Sequence, residues 1–234
     1  MTRAPVALVA WLIDTILPRR CVSCGFSAEL LCPSCRDALR PVVPPWCRRC
    51  GAPTAWPVER CRECAGRRLA FASARAALAY AGPVPALVRA WKERGLRRVA
   101  LLAAELVVAH VEPPPADVIT YIPPDPERQL RRSGHPAEHL ARELGRRWRL
   151  ETAPTLARAR RIARQTGLPL AERRRNVRGA FVAVAEAASL CRGQRVVLVD
   201  DVYTTGSTVA AAASALRAAG AVTVHAITFA RAVR

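Results

Sequence analysis

The spacing of hydrophobic positions changes several times along the chain, and each change marks an element. The clearest segment is QRVVLVDD at 194–201, an unbroken apolar run that ends in two acids. A run without alternation is the pattern of a strand buried on both faces, as in a parallel sheet. An Ala-rich helix follows over 206–219, closed by Gly220 as its C-cap, and VTVHAITFA at 222–230 is the last strand. Upstream, ARAALAYA at 74–81 reads as a strand, 84–94 and 96–111 as helices, and DVITYI at 117–122 as a short strand beyond the PPPAD break. Residues 136–148 form a helix with Ala137, Leu140, Ala141 and Leu144 on one face. Residues 151–193 carry no single period: an Arg run, LARARRIARQ, precedes a helical AERRRN and an apolar AFVAVA. Strands alternating with helices predict an α/β domain with a mostly parallel sheet flanked by helices, over 70–234.

The first 17 residues read as an amphipathic helix, with Val6, Val9, Leu12, Ile13, Ile16 and Leu17 on one side. The apolar stretch VALVAWLI falls short of the roughly 20 residues a bilayer span needs, and Asp14 follows it. No small-residue cleavage site accompanies it, so a signal peptide is not expected and the expected location is the cytoplasm. The domain organisation read from the chain is a helix at 1–17, a Cys-rich module at 18–68 and the α/β domain at 70–234.

Composition narrows the chemistry. With 234 residues, 51% of them hydrophobic, the chain can bury a sizeable core and is not a disordered segment. Lys and Arg number 37 against 18 acids, a formal net charge of +19, and Lys92 is the only lysine. Lys92 sits in AWKERG, so the phosphate loop G-x-x-x-x-G-K-[ST] is absent. The basic excess favours polyanionic partners, either nucleic acid or phosphorylated small molecules. Solvated arginines on a neutral scaffold would give the same count.

Eight of the nine cysteines form four Cys-x-x-Cys pairs: Cys21/Cys24, Cys32/Cys35, Cys47/Cys50 and Cys61/Cys64. Each pair lets two thiolates of one tight turn grip one ion, and two turns complete a tetrahedral zinc site. Disulfides do not suit a chain without a secretory signal. Sequential pairing gives Cys21, Cys24, Cys32 and Cys35 one Zn²⁺ and the other four the second; interleaved pairing fits the spacing too. No His lies nearby, so both sites look closed and structural. Gly25 and Gly51, each directly after a knuckle, suit turns with positive φ. Cys191 is left over and reads as a small buried residue.

The most informative segment is VVLVDDVYTTGSTVAAAASAL. A buried strand delivers Asp200 and Asp201 to its carboxyl end, where open α/β sheets bind ligands. Thr204, Thr205, Gly206, Ser207 and Thr208 then open a helix. Its unpaired N–H groups, its dipole and the hydroxyls make a phosphate cup that needs no lysine. The carboxylates suit vicinal hydroxyls of a sugar, or Mg²⁺ through water. Together these features specify a sugar phosphate.

This string resembles the 5-phosphoribosyl 1-pyrophosphate (PRPP) signature of type I phosphoribosyltransferases. Preceded by four cysteine knuckles, it is similar to the ComF family, in which a double zinc ribbon leads a phosphoribosyltransferase-like domain. The similarity runs from LPRRCVSCG to the final strand. AWKERGL matches a Lys-x-x-Gly element at Lys92 and Gly95. RQTGLPLAERRRNVRGAF matches a second element at Gln165, Leu168, Arg173, Asn176, Ala180 and Phe181. IPPDPERQLRRSGHPAEHLA matches a Pro-initiated loop at Arg132, Ala137, Glu138, Leu140 and Ala141, with Ser133 for the family's Gly and His135 for its Asn.

The resemblance implies transfer of phosphoribose from PRPP to a nitrogen acceptor, with pyrophosphate released and Mg²⁺ assisting. Asp200 and Asp201 would hold the ribose, and residues 204–208 its 5′-phosphate. Arg128, Arg131 and Arg132 of the Pro-rich loop, Lys92 and Arg161 are the candidates for pyrophosphate; Arg161 shares an Arg-rich lid with Arg158, Arg160 and Arg164. The family also implies competence, natural transformation and DNA uptake, with single-stranded DNA and a DNA-translocating ATPase as partners. A non-catalytic DNA-binding accessory that keeps a PRPP site is the alternative; Trp46 and Trp56, set among arginines, suit base stacking. His110, His135, His139 and His225 read as structural, His135 being the best exception because of its loop.

Overall fold

A computed structural model describes residues 20–27, 29–125, 135–159, 179–184 and 189–233. The helix expected at 1–17 lies outside them, as does the helical AERRRN. Among the described residues the order is α1 (Pro33–Asp37), β1 (Ser73–Ala79), α2 (Val84–Arg94), α3 (Arg98–His110), β2 (Val118–Tyr121) and α4 (Pro136–Trp148). Then come β3 (Glu151–Thr152), β4 (Leu156–Arg158), β5 (Phe181–Ala183), β6 (Arg195–Tyr203), α5 (Ser207–Ala218) and β7 (Thr223–Arg231). No helix among the described residues is long and apolar enough to cross a membrane.

Five strands form one parallel sheet in the order β1-β7-β6-β2-β3. The unbroken apolar run accounts for β6 at its centre. Val196, Val197, Leu198 and Val199 are each fully buried. Val197 and Val199 face a core with Leu87, Trp91, Leu140 and Phe229. Val196 and Leu198 face a second core with Val209, Ala212, Ala213 and Leu216 of α5. Alternate residues therefore feed opposite layers, as the two-residue period of a strand demands.

The strand runs past its acids to Tyr203, because β7 continues to pair with it: Asp200 lies beside Thr228 and Tyr203 beside Arg231. The helix that follows ends one residue earlier than read, at Ala218, with Ala219 as its cap. Gly220 comes next at φ 98°, where a side chain would be strained. The opaque segment 151–193 contributes edge strand β3 and an antiparallel pair, in which Arg158 of β4 lies opposite Phe181 of β5. These three strands are two or three residues long, too short to display a period.

Chain direction sets where a ligand binds. From β2 the chain crosses α4 to β3 on one side; from β6 it crosses α5 to β7 on the other. The order reverses between β2 and β6, and such switch points open a crevice at the strands' carboxyl ends.

The Cys-rich module covers the outer edge of β1. The Val42 N–H donates to the Ala77 carbonyl at 2.9 Å, that of Ala79 to Arg40 at 2.8 Å, and that of Ala74 to Arg49 at 2.9 Å. The segment joining the two knuckle pairs thus completes hydrogen bonds that an edge strand leaves open. Cys21, Leu31 and Cys32 join the core beneath α2–α4, whereas Cys47, Cys50 and Cys64 join the core beneath α5.

Candidate anion-binding site at the end of β6

Asp200 and Asp201 stand near the carboxyl end of β6, beside the switch point. Asp201 is 9% exposed. Its Oδ1 accepts a hydrogen bond from the Lys92 ammonium at 2.7 Å, so the last turn of α2 brings the sole lysine to the acids. The Asp200 carboxylate accepts the N–H of Asp201 at 2.9 Å. Burial, and then the charge of Asp201, push the Asp200 carboxyl well above the usual range, against the pull of Lys92 and Arg158.

Immediately beyond, Thr205, Gly206 and Ser207 are buried, Thr208 is half-buried and Thr204 is exposed. The hydroxyls of Thr205 and Ser207 lie 3.0 Å apart. Gly206 is the N-cap of α5 in the left-handed region at φ 70° and has no side chain of its own to cap the helix, while the Thr205 hydroxyl accepts the Ser207 N–H at 3.4 Å. The first turn of α5 therefore presents N–H groups without intrahelical acceptors, at the positive end of its dipole. Glycine is required here for two reasons. The φ is strained for other residues, and a Cβ would lie 2.1 Å from the Tyr203 hydroxyl.

Tyr203 escaped the sequence reading. It is 3% exposed, its hydroxyl has no hydrogen-bond partner among the described residues, and its ring meets Phe71 edge-on at 6.4 Å. Arg231 escaped it too. It is buried, with its guanidinium over the Tyr203 ring at 5.1 Å. The available signal was an arginine directly after the apolar stretch that ends the last strand.

His135 is the N-cap of α4. Its Nδ1 accepts the N–H of Glu138 at 3.2 Å, and its ring tilts against Tyr121 at 5.6 Å. Burial lowers its pKa to about 4, which keeps the acceptor unprotonated. Asn is a favoured N-cap, so His in place of the motif's Asn preserves the acceptor that this position needs. The His225 ring nitrogen pairs with the Ser73 hydroxyl at 2.9 Å, and His110 closes α3; neither adjoins the acids.

Arg158 sits on β4. Its Nε donates to the carbonyls of Pro123 and Pro124 at 3.0 and 2.9 Å, and its guanidinium covers Phe181. This holds it beside the loop that follows β2. Arg128, Arg131, Arg132, Arg160, Arg161 and Arg164 lie outside the described residues, as do Gln165, Leu168, Arg173 and Asn176.

The cysteines gather sequentially. Cys21, Cys24, Cys32 and Cys35 form one cluster and Cys47, Cys50, Cys61 and Cys64 the other, with sulfurs within 4.8 Å of one another. A tetrahedral zinc site with Zn–S of about 2.3 Å has edges of about 3.8 Å. Cys24–Cys32 at 3.7 Å and Cys47–Cys64, Cys50–Cys61 and Cys61–Cys64 at 3.6, 3.5 and 3.9 Å match that edge. Four soft donors at these separations fit Zn²⁺. Gly25 and Gly51 take the positive φ that the knuckles require, and a Cβ on Gly51 would strike the Ala74 carbonyl of β1. Cys191 is buried, as its reading required. Of the two tryptophans, Trp46 is covered by the Arg75 guanidinium, whereas Trp56 is 68% exposed.

Comparison with known proteins finds two matching families and several relatives. The double zinc ribbon domain family matches residues 12–65 and the phosphoribosyl transferase domain family residues 130–233. The chain is 30% identical over 224 residues to the DNA utilization protein YhgH of Salmonella typhi, covering 89% of this chain and 95% of that protein. It is 26% identical over 213 residues to Competence protein F of Haemophilus influenzae, covering 86% and 92%. Among solved structures, the glutamine PRPP amidotransferase from B. subtilis, complexed with ADP and GMP, aligns at a TM-score of 0.37 and 26% identity. That alignment covers 56% of this chain and spans a quarter of the amidotransferase, 25%. Adenine phosphoribosyltransferase from Thermoanaerobacter pseudethanolicus aligns at 0.38 and 14% identity, covering 59% and 83%. The chain belongs to the ComF family, in which a double zinc ribbon is joined to a phosphoribosyltransferase-type domain.

Proposed function

We propose that the protein binds PRPP at the end of β6 and transfers its phosphoribosyl group to a nitrogen nucleophile. The observation that carries this reading is the succession of Asp200, Asp201 and the buried Thr205–Gly206–Ser207 turn, all at the sheet's switch point. Residues 204–208 hold the 5′-phosphate through N–H groups and hydroxyls. That contact is equal in ground and transition states and supplies affinity. Asp200 and Asp201 accept the ribose hydroxyls and favour positive charge developing on the sugar. Lys92, oriented by Asp201, meets the pyrophosphate together with Arg128, Arg131, Arg132 and Arg161. As the C1–O bond breaks the electron pair leaves with pyrophosphate, the C1–N bond forms, and the nitrogen releases its proton. Two adjacent carboxylates, one pushed toward its neutral form by burial and then by the charge of the other, suit a divalent cation. Bound there with PRPP, Mg²⁺ would neutralise charge on the leaving group.

The test is pyrophosphate release from PRPP by zinc-loaded protein with Mg²⁺, over a panel of nucleobases, amines and nucleic acids. Turnover with one acceptor, reduced at least about 100-fold in Asp201→Asn, is the expected result, by analogy with the loss of one preorganised electrostatic group. No release with any acceptor rejects the transfer step.

A second reading is favoured by the exposed Trp56 and by relatives named for competence and DNA utilization. In it the second ribbon stacks Trp56 on a base of single-stranded DNA while arginines meet phosphates, and the PRPP site serves as a sensor beside a DNA-translocating ATPase. Binding by 6–10 phosphate contacts would weaken by roughly 10³–10⁵ between 50 and 200 mM salt. Trp56→Ala would lower the affinity by about 1–3 kcal/mol. A flat salt response rejects this reading.

A further inference from the structure

We propose that Arg231 and Tyr203 position the phosphate-binding turn and make its grip depend on the metal in the second four-cysteine site. The inference rests on reading residues 204–208 as a sugar-phosphate cup.

Arg231 is 1% exposed, an unusual place for a guanidinium. Its Nη1 donates to the Cys50 carbonyl at 2.6 Å and its Nη2 to the Glu63 carboxylate at 3.0 Å. Both partners belong to the second ribbon: Cys50 is itself one of the four clustered thiols, and Glu63 lies between two others, Cys61 and Cys64. The flat face of the same guanidinium covers the Tyr203 ring at 5.1 Å. The β6–β7 register sets Tyr203 and Arg231 side by side, so the contact is fixed by backbone pairing.

Tyr203 in turn fills the space against Gly206. A Cβ on Gly206 would lie 2.1 Å from the Tyr203 hydroxyl and 2.4 Å from Cζ. With no hydrogen bond to its hydroxyl, the ring is held by packing alone, between Arg231, Phe71 and the turn. A continuous path therefore runs from the second cluster through Arg231 and Tyr203 to Gly206. Among the described residues the first cluster shares no such path, since Cys21 and Cys32 pack in the opposite core, beneath α2–α4.

A bound cation ties the four sulfurs of the second site into one tetrahedron, a constraint that is lost without it. If the metal leaves, the knuckles relax, and Arg231 loses its carbonyl and its carboxylate. A buried guanidinium without partners is unstable and moves toward water. The Tyr203 ring then loses one of its walls, and the turn its rigid floor. Coupling of this kind is reciprocal: a ligand on the turn must retain metal in the second site and leave the first unaffected.

The experiment follows release of both zinc equivalents from the full chain into a chromogenic chelator, with and without ribose 5-phosphate. Calorimetry first establishes that ribose 5-phosphate binds. The expected result is that saturating ribose 5-phosphate slows one equivalent by about fivefold or more and leaves the other unchanged. Arg231→Gln is expected to accelerate that same equivalent, abolish the protection and weaken ribose 5-phosphate binding about tenfold, the size of a typical coupling. Tyr203→Phe, which keeps the ring, is expected to retain the protection, and Tyr203→Leu to lose it. Binding of ribose 5-phosphate with both release rates unchanged, or both slowed equally, overturns the coupling while leaving the sugar-phosphate reading intact. Failure of ribose 5-phosphate to bind zinc-loaded protein overturns that reading, and the coupling with it. Should Arg231→Gln not fold, the unmodified chain alone decides.

Discussion

Asp200 lies partly buried at the end of β6, where its negative charge opposes folding. Its pKa is raised in the folded chain, first by burial and then by Asp201, so the folded state holds the proton more tightly than the unfolded one. Stability contributed by this group is full below the ordinary carboxylate range and declines as pH rises toward neutrality. Asp200→Asn is therefore expected to melt higher than the parent at pH 8 without Mg²⁺, by about 1 kcal/mol or more, and to match it near pH 4. A variant less stable at pH 8 would refute this assignment. His135 carries the opposite sign. Its pKa falls to about 4 through burial, so its contribution as an N-cap is complete above its ordinary value and is lost as pH falls from about 6.5 toward 4. His135→Ala is expected to cost about 0.5–2 kcal/mol at pH 7.5. His135→Asn should keep most of it, and thermal melts across pH 4–8 distinguish the two.

At the scale of elements, the turn between β6 and α5 joins fold to chemistry. Gly206→Ala forces a side chain into left-handed backbone and into the Tyr203 ring. The backbone alone costs roughly 1–2 kcal/mol. Loss of ribose 5-phosphate binding is expected with it, measured by calorimetry; unchanged affinity would remove the turn from the site. The central elements were legible because their patterns are long. The apolar run Val196–Val199 of β6 and the Leu140/Leu144 face of α4 announce both burial and type. β3, β4 and β5 were not legible, because tertiary pairing rather than local periodicity creates strands this short. The turn proposed as a phosphate cup was readable from Gly206 and the hydroxyls around it. The support beneath it was not, because Tyr203 and Arg231 meet only through the β6–β7 register. Lys92 was read as a phosphate contact; that it reaches Asp201 depends on how α2 packs on the sheet.

The molecule as a whole places its two four-cysteine clusters astride one sheet edge. The strand between them, β1, is sealed on its outer side by residues 40–49. Stripping zinc is accordingly expected to do more than loosen the ribbon. It should uncover the β1 edge, lower the melting temperature of the whole chain and promote aggregation, followed by light scattering under chelation. A chelated chain that keeps its melting temperature and stays dispersed would show the two parts to be independent.

The central claim, that the end of β6 holds PRPP, is tested most directly by the melting temperature of zinc-loaded protein with Mg²⁺, with and without PRPP. A ligand at 100 times its Kd stabilises by about 2.7 kcal/mol. For a chain of this length that is a rise of roughly 5–11 °C. A rise of this size with PRPP, smaller with ribose 5-phosphate and lost in Gly206→Ala, is the predicted result. No rise with either ligand at saturating concentration would contradict the account.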